Sequence, residues 1–256
     1  MINKLKAFLH TYWKTLFFFL IVGLFGGFFT GLFMLDSYPA DLQQEMLSQG
    51  ITPVILGTVT AMQSAGYGVF LGALGILISK KIGLWKGERH ITKQPLLSAL
   101  GVAVFGGLAM ILPDLLFFGH YSEAIRSSYM TKPLLPFILA SVTYGAVIEE
   151  IMLRLFTMSL IALILHKVFA RDAEKPPVAI VITANVISAF LFAAGHLPAT
   201  FVLLGNTPMI LFRCFLLNGG IGLLFGRLFR KYGLRYAMIA HGGAHIVSKL
   251  IWILFL

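Results

Sequence analysis

The sequence predicts an all-α fold: a polytopic transmembrane helical bundle of about seven spans (six to eight), with its N-terminus in the cytoplasm. Three observations carry this expectation. The 256 residues are 58% hydrophobic and only 12% charged, with a mean hydropathy of +0.89, which is a membrane composition rather than that of a soluble domain. The apolar residues fall in runs of about 20, the length that crosses a bilayer as a helix. The lysines and arginines gather in short loops between those runs.

The same composition excludes several classes. No hydrophilic block is long enough for a separate soluble domain. The one cysteine, Cys214, sits in an apolar run, which rules out an internal disulfide or a cysteine-based metal site. A formal net charge of +10 would suggest nucleic acid in a soluble protein. Here the charge lies in loops, so the expected partner is an anionic leaflet and not nucleic acid.

The first span follows Lys4, Lys6 and Lys14 and runs from about Leu16 to Leu35. It reads as a retained span rather than a signal peptide, because it is long, lacks a convincing cleavage site and is followed by acidic residues. The loop 36–49 carries Asp36, Asp41 and Glu45 and no basic residue. The second span, from about Thr52 to Ser79, holds Gly57, Gly66, Gly68, Gly72 and Gly75, which permit close helix packing. Lys80, Lys81, Lys86, Arg89 and Lys93 make the most basic loop. A third span covers roughly Leu96 to Phe118. The fourth, from about Leu134, ends near Lys167. Pro176-Pro177 restarts a helix for the fifth, from Val178 to about His196. A short apolar piece, Thr200–Leu204, read as a candidate re-entrant segment, leads to a sixth span, from Pro208 to about Leu228. The last begins near Tyr236. Basic loops alternate with poorly basic ones, which sets the N-terminus inside.

The centre of the chain is the fourth span, where Glu149, Glu150 and Arg154 interrupt an apolar run. Each costs roughly 2.5–3.5 kcal/mol at a helix centre unless paired or facing a wet cavity. Residues four apart share a helix face, so Glu150 lies over Arg154 and pairs with it. Glu149 is turned about 100° away and is left without a local partner, as suits a general base. A purely structural charge cluster is the plainer reading of all three.

Two other polar signals lie at membrane depth. Phe192 and His196 sit at the end of the fifth span, and His241 and His245 share one face of the last. Singly, each histidine reads as a hydrogen-bonded packing residue. Together with Glu149 on three segments, they read as a proton relay, a metal site or a hydrolytic site. Gly242 and Gly243 leave room for a substrate backbone or another helix. One tension is depth: His241 is close to the basic loop at Arg235, whereas Glu149 is far from Lys167. Either the fourth and fifth spans project into the cytoplasm or the helices are strongly staggered.

Glu149-Glu150-x-x-x-Arg154, then Phe192-x-x-x-His196, then His241-x-x-x-His245 resembles the CPBP family. These are the CAAX-protease and bacteriocin-processing proteins, which include the type II CAAX endopeptidases. The departure is His245, where the family pattern usually has asparagine. The resemblance divides the chain into N-terminal transmembrane helices, 1–132, and a catalytic core, 133–256. It implies an intramembrane endopeptidase of the bacterial inner membrane acting on a membrane-associated peptide or protein. Glu149 would activate water with His196, while His241 and His245 stabilise the oxyanion. Alternatively, His196, His241 and His245 hold zinc. Glu150 and Arg154 would orient Glu149. The cofactor expectation is therefore none or zinc. Two other classes compete: a non-catalytic scaffold or immunity protein on the same fold, and a proton-coupled transporter. The latter usually shows an internal repeat, and none is evident.

Overall fold

The computed structural model describes residues 2–87 and 90–256, so Arg89 of the predicted basic loop lies outside the described residues. The described elements are all helices. They are α1 (Ile2–Ser37) and α2 (Ala40–Ser48), then α3 (Pro53–Lys81) and α4 (Lys93–Tyr121). After the short α5 (Glu123–Ser128) comes α6, helical from 135 to 169. The chain ends with α7 (Val178–Gly195), α8 (Leu197–Leu204), α9 (Pro208–Tyr232) and α10 (Leu234–Phe255).

Among the described residues, six helical stretches are long and apolar enough to cross a membrane: α1, α3, α4, α7 with α8, α9 and α10. The charged helix α6 is not one of them; α1, α3, α7, α9 and α10 pack around it. Its Ile148, Ile151, Leu155 and Met158 are wholly buried. Phe17, Phe70, Phe190 and Leu254 are instead more than half exposed, on the outer surface. Lipid is as apolar as these side chains, so such a bundle is held by close packing and polar contacts rather than by water exclusion.

Small residues make that packing possible. On α1, Gly23, Gly27 and Gly31 recur every fourth position. A Cβ on Gly23 would stand 2.8 Å from the Ala65 backbone, and one on Gly31 2.6 Å from Gly57 Cα. Gly26, on the neighbouring face of α1, meets the backbone of Tyr144 in α6. The predicted glycines of α3 divide: Gly68 and Gly72 abut Phe19, Gly75 abuts Leu155, and Gly66 faces open space.

The piece predicted at Thr200–Leu204 is part of α8, which follows α7 after a break at His196. Pro198 sits in its first turn, where the missing N–H costs nothing.

Candidate functional site

The polar cluster is built where α6, α7, α9 and α10 meet. Around Glu150, α6 is wound in wider π-type turns, Ser141–Glu149 before it and Ile151–Met158 after it. Such turns concentrate at functional sites. They also change the expected division of labour. Glu149 does not look elsewhere: both glutamates converge on one imidazole. Glu150 Oε1 lies 2.9 Å from His241 Nδ1, and Glu149 Oε2 lies 3.9 Å from His241 Nε2. A helix wound more widely turns less per residue. The two ring nitrogens of His241, on opposite sides, then accommodate two adjacent carboxylates.

Burial separates the two acids. Glu150 is fully buried, whereas the Glu149 side chain is 19% exposed. Arg154, equally buried, stands 3.1 Å from Glu150 Oε1 as predicted. That contact is an ion pair without hydrogen-bond alignment, since neither Arg154 Nη1 nor Glu150 Oε2 has a hydrogen-bond partner. Arg154 Nη2 instead donates to the carbonyl of Gly222 at 2.9 Å. The guanidinium lies over Phe192 at 4.7 Å and Phe225 at 5.6 Å. Phe225 also stacks on His241 at 4.5 Å. Phe225 and Gly222 escaped the sequence reading, because an ordinary apolar helix gives no sign of which ring or carbonyl it turns inward.

The hydrogen-bond chemistry fixes the histidine tautomers. An ionised carboxylate only accepts, so His241 Nδ1 carries a proton toward Glu150. His245 stacks on His241 with ring centroids 5.0 Å apart, and its Nδ1 faces Lys249 Nζ at 3.3 Å. Lys249 is 7% exposed and lies 4.0 Å over Phe137. Beside an ammonium, which has no acceptor, His245 Nδ1 would accept and Nε2 would bear the proton. That Nε2 looks at α6 beside Gly145, where a Cβ would come within 3.1 Å of it. Gly145 precedes Glu149 by four residues on α6. Lys249 was also missed; a lysine inside a span, one turn from a histidine, was the available signal.

His196 behaves differently from the expectation. Its Nδ1 is bonded to its own helix at the Phe192 carbonyl, 2.8 Å away. Among the described residues it makes no ion pair with Glu149. The Phe192 ring meets His196 edge-on at 4.7 Å and His241 at 6.0 Å, so Phe192 links the two histidines by packing. Gly242 and Gly243 leave no room for a substrate: they receive Ala146 of α6 and Ala103 of α4.

Among the described residues no three His, Cys, Asp or Glu side chains are arranged to hold a metal ion.

The depth tension resolves as stagger. Glu150 lies about 28 Å of helix from the end of α6, and His241 only about 10 Å from the start of α10. They touch nonetheless, so α6 runs well past the first turn of α10. A second buried ion pair ties α9 to α4, with Arg213 Nε and Nη2 each 2.5 Å from Asp114, whose carboxylate also accepts from Tyr129 at 2.8 Å.

Residues 131–247 match the family described as type II CAAX prenyl endopeptidase Rce1-like. No curated protein and no solved structure matches the chain.

Proposed function

We propose that this multi-pass membrane protein, whose residues 131–247 match the Rce1-like family, hydrolyses a peptide bond with Glu149 as the general base. The supporting observation is the convergence of Glu149 and Glu150 on His241, on which the His245 ring stacks. Of the two acids Glu149 is the accessible one, and Glu150 is consumed in holding His241 and Arg154.

The steps follow from these placements. Glu149 takes a proton from water as the water oxygen bonds to the scissile carbonyl carbon. The carbonyl oxygen becomes an oxyanion and accepts from His245 Nε2–H, a preorganised donor at low dielectric. The C–N bond then breaks, and the proton passes from Glu149 to the leaving amine, with His241 Nε2 as a relay point. His196 bounds the space through Phe192 and assists in placing the water. The substrate is a membrane-associated peptide or protein, and the setting is the bacterial inner membrane. No step uses a metal.

The test is Glu149→Gln in liposomes, read on a membrane-anchored peptide with a CAAX-type tail. The expected result is a rate loss of about 10²–10⁴-fold with unchanged thermal unfolding. Full retained cleavage removes Glu149 from the mechanism.

A further inference from the structure

Away from the polar cluster, where α1, the loop after α3 and the α9–α10 turn meet, lies a cavity of about 340 Å³. Its walls carry three cations from three segments: Lys14, Lys86 and Arg235. Its floor is aromatic and apolar, with Phe19 and Tyr236 buried and Met238 half-buried. The turn that shapes it needs a glycine: Gly233 has φ +107, and a Cβ there would press on the Lys86 stem at 3.1 Å.

We propose that this cavity binds the phosphate headgroup of an anionic phospholipid, with an acyl chain laid against α1. Three features favour a lipid over a soluble acidic peptide. The pocket lies at the ends of spans among Trp85, Tyr232 and Tyr236, residue types that settle at the bilayer–water interface. Phe18, on its wall, is 50% exposed and continuous with the outward Trp13 and Phe17, so the pocket opens toward lipid. A cationic rim over an apolar floor also matches an amphiphile, in which charge and hydrocarbon are joined. The same end of the bundle bears the basic loops, whose attraction to anionic lipid is general; the cavity adds a defined seat.

The experiment is native mass spectrometry of the purified full chain, taken from mixed phosphatidylglycerol–phosphatidylcholine bilayers. Wild type retains phosphatidylglycerol over phosphatidylcholine. Lys14→Gln/Lys86→Gln loses that preference, by roughly fivefold for each cation removed. Lys14→Arg/Lys86→Arg keeps it, which separates charge from folding. Equal retention in wild type and the Gln pair overturns the proposal. So does protection of Lys86 from amine labelling by inorganic phosphate or an acidic peptide where phosphatidylglycerol gives none. Glu149→Gln leaves the preference intact, so this result stands apart from the proteolytic reading.

Discussion

At the residue scale, the cluster is a set of tautomers held by charged neighbours. On the proposed mechanism, Lys249, 3.3 Å from His245 Nδ1, keeps the His245 proton on Nε2. Lys249→Met is expected to lose about 10²-fold or more in kcat, the scale of one missing oxyanion donor. Paired with His245→Asn, the same change costs little, because an amide N–H needs no tautomer setting. Measuring all four combinations gives a coupling, and additive losses would reduce Lys249 to packing. Gly145→Ala places a methyl 3.1 Å from His245 Nε2. It is expected to cut cleavage by about ten- to a hundredfold through misplacement, with the unfolding midpoint nearly unchanged. Dialysis against a chelator is expected to leave the cleavage rate as it was, since the proposed steps run on Glu149 and the histidines alone; loss restored by zinc would overturn the glutamate mechanism.

At the element scale, α6 is the axis, and its neighbours are fitted to it through glycines. The Gly23, Gly27 and Gly31 stripe lets α1 lie almost backbone-to-backbone against α3, while Gly26 does the same against α6. Gly27→Leu is expected to destabilise by about 1–3 kcal/mol, the usual cost of overpacking. Gly101→Leu meets nothing within 4 Å and serves as the control with no shift. Thermal unfolding in detergent reads both. The sequence reading placed packing glycines in the second span but overlooked the stripe on α1, although its four-residue period was visible.

At the scale of the whole molecule, two buried ionic networks bind segments far apart in sequence. One joins α6, α9 and α10 through Glu150, Arg154, the Gly222 carbonyl and His241. The other joins α4 to α9 through Asp114 and Arg213. Removing one member of a buried pair strands the other, at about 3–5 kcal/mol. Asp114→Ala is therefore expected to lower the unfolding midpoint sharply while leaving KM nearly unchanged in the protein that remains folded. A fall in kcat alone would tie this network to the site.

Much was legible in the sequence because the bilayer simplifies the problem. Backbone polar groups must be satisfied within each span, so length and hydropathy make the helical bundle and six of its long helices legible, while α6 is too charged to count among them. The charge penalty at membrane depth singles out Glu149, Glu150 and Arg154, and the four-residue period pairs Glu150 with Arg154. Tertiary structure decided what depends on rotation and stagger between helices. It turned both glutamates to His241, set Lys249 behind His245, filled the Gly242–Gly243 space with Ala146 and Ala103, and kept His196 off Glu149. Those outcomes rest on the local winding of α6 and on which small residue admits which neighbour, and a hydropathy pattern carries neither.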